Sequence, residues 1–197
     1  MSTGSLTPPS ERQTGGRMPA PGQLALVQAF VNSRWDLDCG YRDRFGDSGA
    51  LGRWLAEHQL LERRARLGPA DLRRALSVRE GLRELLFSNN GRPADAGVVA
   101  QLNTALRRAS VSVRLGDAEG PEFVAVTGGL DGSLAVIAVI VAAAQLDGSW
   151  ARLKACPGRD CGWVFYDRSR NGSSGWCSMS VCGQREKARA YRARRRK

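Results

Sequence analysis

Residues Cys156–Lys197 read CPGRDCGWVFYDRSRNGSSGWCSMSVCGQREKARAYRARRRK, and they hold four of the chain's five cysteines together with most of its excess positive charge. Cys156-x4-Cys161 and Cys177-x4-Cys182 are two equal pairs separated by 15 residues. That is the paired-knuckle logic of a structural zinc site, with gaps wider than the common two-residue spacing. Each pair turns two thiolates toward one point, and Gly158 and Gly162 permit the tight first turn. The run GWVFYD reads as a strand and RSRNGSSG as the loop of a hairpin. SVCGQREKARAYRARRR reads as a helix whose first turn carries the last ligand. Knuckle, hairpin and helix-borne ligand in that order predict a treble-clef-like finger.

Four thiolates around zinc(II) leave a formal charge of about −2, for which Arg159, Arg168 and Arg185 are the nearby cations in sequence. A complete four-sulfur shell has no open position for substrate, so the metal holds structure together. A tail of about 40 residues with few apolar groups needs it, since structural zinc supplies roughly 10–16 kcal/mol of apparent binding energy. Trp163, Phe165, Tyr166 and Trp176 are expected to form the finger's small core. Cys39, alone in DLDCGYRD, reads as a small residue. The single histidine, His58, excludes a His-rich metal centre and reads as a satisfied surface or core residue.

The formal net charge of +11 is unevenly placed. From Trp150 onward there are 13 Lys/Arg against 3 Asp/Glu, whereas the first 149 residues hold 17 against 16. Such a concentrated field attracts polyanions. On a helix starting near Cys182, Arg185, Arg189, Arg192 and Arg196 recur at i, i+4, i+7 and i+11 and form a stripe; Lys187, Arg194, Arg195 and Lys197 widen it. Arginine grips phosphates and reaches guanine edges in the major groove. Arg168 and Arg170, in the loop before Trp176, are further candidate contacts. Duplex DNA is favoured over RNA because the finger's aromatics are assigned to its core rather than to base stacking. A solvated basic terminus is the bland alternative.

Upstream, MSTGSLTPPSERQTGGRMPAPG lacks the apolar stretch of a signal peptide and predicts a disordered leader over 1–20. GQLALVQAFVNSR and SGALGRWLAEHQLL predict short amphipathic helices, the second capped by Ser48. GPADLRRALSVREGLRELLFSNNGRP is the clearest helix, with Pro69 in its first turn and Leu72, Leu76, Val78, Leu82, Leu85 and Leu86 on its buried face. A fourth helix opens at Pro93 and ends near Ala109, and VSVRL and EFVAV predict a hairpin. The apolar run Leu134–Leu146 has 13 residues where a membrane span needs about 20, so a core helix is expected about 131–147, and no membrane partner. The fold class is therefore mainly α with a small β-hairpin: a helical domain over 21–150, then the finger over 151–197, with the change of composition near Trp150 predicting separable units. No phosphate loop, acidic dyad or nucleophile–base pair is present, so no enzyme is expected. Asn32 and Arg34, beside apolar Phe30, line a ligand pocket or cap the helix end.

The tail motifs, namely Cys156-x4-Cys161, FYDRSRN from Phe165, WCSM from Trp176 and CGQREKARAYRAR from Cys182, resemble the CGNR-type zinc finger. AFVNSR at Ala29–Arg34 and LGRWLAEHQLL at Leu51–Leu61 resemble the helical stress-induced transcription regulator domain (ABATE-like) that usually precedes it. The resemblance implies a bacterial transcription regulator with a zinc-dependent DNA-binding tail and a sensory N-terminal domain; the residues of that domain equally fit small-molecule sensing, oligomerisation or an anti-regulator platform, and the lack of a signal peptide leads to the expectation of a cytoplasmic location. It also implies Cys156, Cys161, Cys177 and Cys182 as zinc ligands. Gln184 stands where the family carries asparagine, and Gly172–Gly175 where arginines are common, which bears on contacts to a phosphate backbone. A zinc-stapled RNA- or protein-interaction module remains the alternative, and the oligomeric state is open.

Overall fold

The apolar positions of the first helix, α1 (Leu24–Asn32), recur as an amphipathic stripe, yet all nine residues are buried. The reason is that the polar positions also face protein. Gln28 accepts from Ala20 N (2.7 Å) and donates to Val164 O (3.1 Å), and Asn32 meets the same strand. The structure is a computed structural model and describes residues 16–34, 42–115 and 120–195. Cys39, Arg196 and Lys197, singled out above, lie outside the described residues.

Helix α2 (Ser48–Glu57) is capped by Asp47 rather than Ser48: the Asp47 carboxylate accepts from Ala50 N at 2.7 Å, and a carboxylate also suits the positive helix end. Helix α3 (Pro69–Ser88) begins with Pro69 in its first turn as expected, and the Asp71 side chain reaches back to Gly68 N (2.8 Å). Helix α4 (Ala96–Leu106) starts three residues after Pro93 because Asp95 caps it, accepting from Gly97 N and Val98 N. α3 and α4 approach so closely that a Cβ on Gly81 would sit 2.5 Å from Leu102 Cβ; only glycine fits this crossing. Strands β1 (Val111–Leu115) and β2 (Pro121–Ala125) pair antiparallel, with Val113 opposite Phe123.

Helix α5 (Gly129–Leu146) is long and apolar enough by length and composition to cross a membrane. In the fold, however, Leu134, Ala135, Val136, Ile137 and Ile140 lie in the core against α1. Phe30, Phe45 and Trp54 close that core as a triangle, with ring centroids 5.5–5.8 Å apart. Arg74 ties three helices together, donating to Ala105 O (2.6 Å) and pairing with Asp131.

After a 3-10 turn (Ser149–Arg152), strands β3 (Leu153–Ala155) and β4 (Val164–Tyr166) pair with Leu153 opposite Tyr166 and Ala155 opposite Val164. The predicted order within the tail is corrected here. The first cysteine pair forms the turn of this hairpin, and RSRNGSSG is a loop with no strand after it among the described residues. A π-helical turn (Met179–Gly183) then leads into α6 (Gln184–Arg194).

Side chains alternate across a strand, and the β3–β4 hairpin uses both faces. Leu153, Ala155, Val164 and Tyr166 belong to the core of the helical domain, while Cys156, Trp163 and Phe165 form the finger's own core with Cys177 and Cys182. Tyr166 thus leaves the set of finger-core aromatics expected from sequence. Nor is the tail a separate body in packing. Arg83 of α3, 3% exposed, donates to Gly162 O (2.7 Å), Asn89 to Trp150 O and Leu153 O, and Asn90 to Ala155 O and Gly175 O. The described end of the leader is also placed: Ala20 is buried, and Arg17 reaches the finger.

Candidate metal centre

Cys156 extends the β3–β4 pairing by one rung, its N–H donating to Trp163 O (2.9 Å). The chain then reverses through Pro157–Gly162, with Cys161 N bonded to Gly158 O (2.9 Å) and Gly162 N to Cys156 O (3.2 Å). Gly162 holds φ +66°, the left-handed region open to glycine. A Cβ on Gly158 would meet Cys182 Sγ at 3.3 Å, so the bare backbone lets the second pair come close. Cys177 arrives on the loop, and Cys182 on the π-turn that opens α6.

The four sulfurs lie within 4.8 Å of one another. Cys161–Cys177 and Cys177–Cys182 are each separated by 3.6 Å. All four are free thiols, and a zinc–sulfur distance of about 2.3 Å with tetrahedral angles implies sulfur edges of about 3.8 Å. The donor set therefore fits a four-coordinate thiophilic ion. Electrostatics agree. Thiol–thiol bonds from Cys161 and Cys177, joined by the N–H groups of Cys177 and Gly158, hold the Cys156 thiol far below its ordinary value. Cys161, donating to Cys156, is pushed up to about 12, and Cys177 is raised for the same reason. Burial is the main cause that raises Cys182. A bound cation would release the protons of all four.

The cations foreseen for this charge are placed differently. Arg168 turns away to Pro19 O (2.9 Å) and lies over the Tyr166 ring, Arg159 sits exposed beside Asp160, and Arg185 is exposed on α6. The guanidinium that reaches the Trp176–Cys177 backbone is that of Arg17.

The loop from Arg168 to Gly175 is fixed from beneath. Lys154 Nζ pairs with Asp167 Oδ2 (2.9 Å) and donates to Gly172 O (2.5 Å). Asp167, completely buried, also accepts from Ser169 N, Ser169 Oγ and Ser174 N. Arg152 holds the outside of the loop through Asp167 O and Ser169 O. Arg170 is exposed on this loop.

Helix α6 buries none of its residues. At about 100° per residue, Arg185, Arg189 and Arg192 share an arc of about 60°. Lys187 and Arg194 lie roughly opposite, so they form a second basic face rather than widening the first. Glu186 accepts from Arg189 (2.7 Å) and from Arg159 N (3.2 Å), which ties α6 to the first knuckle. Arg194 Nε bonds Ala190 O, and Arg195 lies 5.7 Å from the Tyr191 ring centre.

The structure assigns Asn32 to neither of its expected uses. Its Nδ2 donates to Val164 O (2.9 Å) and its Oδ1 accepts from Val164 N (2.8 Å); an amide matched to both groups of one strand residue is a bracket between α1 and β4, not a pocket wall. Arg34 pairs with Glu80 at 3.0 Å, in a network with Arg79, Arg83 and Asp43.

Residues 152–195 match the family model described as CGNR zinc finger, and residues 24–150 match the model described as "Putative stress-induced transcription regulator" (ABATE). The chain belongs to this ABATE family. It couples the family's helical domain to the CGNR finger, and this makes it a metal-binding regulatory protein. No curated protein matches the sequence. The two family matches meet near residue 151, inside the 3-10 turn, so the boundary between matches falls where the cores are already joined by the shared hairpin.

Proposed function

We propose that this ABATE-family protein is a zinc-dependent, DNA-binding transcription regulator, and that it has no catalytic role. The observation that carries the reading is α6: a helix anchored at Cys182 that buries none of its residues, with arginines on one face and Lys187 and Arg194 on the other. A helix charged on one side suits a flat anionic surface. One charged on two opposite sides suits a groove walled by phosphates, as in duplex DNA. Zinc is the ion proposed for the sulfur set, since four thiolates in a closed site select it. The closed shell also leaves no position for a substrate.

For the helical domain, the sensing role is proposed for a groove of about 540 Å³ between α2 and residues 63–67. Arg53, Arg63 and Arg66 line it, with Gly49 and Gly52 leaving the helix face bare. An anionic small molecule is the ligand class this lining favours. The test of the main reading is binding of the zinc-loaded chain to duplex and single-stranded DNA across a salt series. Duplex preference with steep salt dependence is expected. Salt-dependent binding without duplex preference would point to the RNA-module alternative, and weak, salt-insensitive binding would point to a protein partner.

A further inference from the structure

The geometry points to Arg17 as a positioning residue of the metal centre, acting through the Trp176–Cys177 peptide. This rests on the reading of the four sulfurs as a zinc site and deepens it. Arg17 Nη2 donates to Trp176 O (3.0 Å) and Nε to Cys177 O (2.8 Å), so one planar guanidinium grips two consecutive carbonyls from 159 and 160 residues away in sequence. Its Cζ lies 4.8 Å from the centre of the Phe165 ring, and Phe165 packs with Cys156, Cys177 and Cys182.

The Trp176 carbonyl and the Cys177 N–H belong to a single planar peptide unit. The fork therefore holds the backbone on both sides of the Cys177 Cα, at the Trp176 carbonyl before it and the Cys177 carbonyl after it. Two charge-assisted bonds to consecutive carbonyls fix the orientation from which the Cys177 side chain leaves. Cys177 Sγ lies 3.6 Å from the sulfurs of both Cys161 and Cys182, so a rotation of this backbone would move it out of the four-sulfur cluster. Lysine cannot reproduce this, because a single ammonium on a flexible stem does not present a rigid fork.

The segment around Arg17 is held as a strap. Arg168 donates to Pro19 O (2.9 Å), and Ala20 N donates to Gln28 Oε1 (2.7 Å), whose amide continues to Val164 O on β4. The described end of the leader thus reaches the second cysteine pair through Arg17, while Ala20 is pinned through Gln28 to β4, the strand that follows the turn of the first pair. Outer-shell partners of metal ligands are worth about 10–100-fold in metal affinity, and Arg17 occupies such a place.

The experiment follows zinc release from the full chain into a chromogenic chelator, with a cobalt(II)-substituted sample for the sulfur-to-metal absorption band. Arg17→Ala is expected to release zinc about 10–100-fold faster and to shift the band, since the backbone that aims Cys177 is no longer held. Arg17→Lys keeps the charge and should fall between the two; if the alanine variant fails to fold, the lysine variant carries the test alone. Arg168→Ala cuts the strap's other tie but leaves the fork, and should stay within about threefold of the parent. Parent-like release and an unshifted band in both Arg17 variants would overturn the proposal, as would equal acceleration in Arg168→Ala. A parent chain that purifies without zinc and takes none up sinks the zinc reading itself, before any variant is compared.

Discussion

Ala155 and Cys156 are neighbours in the chain and belong to different cores: Ala155 to that of the helical domain, Cys156 to that of the metal centre. The alternation of one strand therefore couples metal occupancy to helical packing. On its other face the same hairpin carries Val164, bracketed by Asn32 and Gln28 of α1.

From this coupling we predict that chelation destabilises the whole chain, not the tail alone. A coupling of about 4 kcal/mol would lower the melting temperature by roughly 8–16 °C for a chain of this size. Far-ultraviolet circular dichroism during heating, with and without chelator, measures it. A helical transition at the same temperature in both would show that the domains are separable, as the change in composition near Trp150 suggests.

The Asn32 bracket gives a second prediction. Asn32→Ala strips the only hydrogen-bond partner found among the described residues from the buried Val164 N–H, while Val164 O keeps Gln28. One buried donor left unpaired costs about 1–3 kcal/mol. Denaturant unfolding reads that loss directly. A neutral substitution would mean that the amide serves a ligand rather than the strand.

Asp167 supplies a pH dependence. Burial opposes its charge, but hydrogen bonds from Ser169 and Lys154 and the Lys154 charge outweigh this and hold the carboxyl well below the usual carboxylate range. A depressed carboxyl contributes stability that is fully present above its unfolded value of about 3.9 and is lost as pH falls through the lower folded value. Asp167→Asn leaves Lys154 buried and uncompensated, at a cost of about 3–5 kcal/mol. The difference between parent and variant should be flat from pH 7 to 5 and shrink below about pH 4. A difference that persists unchanged at pH 3 would mean that the carboxylate charge is not what holds the loop.

Much of this organisation is legible in the residues. Equal cysteine spacings located the metal centre, and Pro69 with its leucine spacing located α3, because both signals are local. The shared hairpin was legible in part. Trp163 to Tyr166 is apolar at every position, and a strand apolar on both faces must be buried on both. Arg17 and Asn32 were not legible. Their partners lie about 160 and 132 residues away, and a polar residue in a proline-rich leader or at a helix end carries no mark of a contact made only after folding. Ser48 failed for a smaller reason, since Asp47 beside it is an equally good cap.

The last prediction separates the two faces of α6. If the helix seats between two phosphate walls, Arg185→Ala/Arg192→Ala and Lys187→Ala/Arg194→Ala should weaken duplex binding alike. Each would reduce the slope of log affinity against log salt by about 2 from a parent value near −4.5, the slope expected for about five phosphates. If the helix lies on a flat surface, only one pair matters. Glu186 gives the opposite sign. It draws Arg189 into an ion pair at 2.7 Å, so Glu186→Gln should release that arginine and tighten binding in low salt, with the gain fading as salt rises. Fluorescence anisotropy with a labelled duplex from 50 to 200 mM salt reads all three variants. Unchanged affinity in every one would remove α6 from the interface and leave the exposed Arg170, on the loop fixed by Asp167, as the next position to replace.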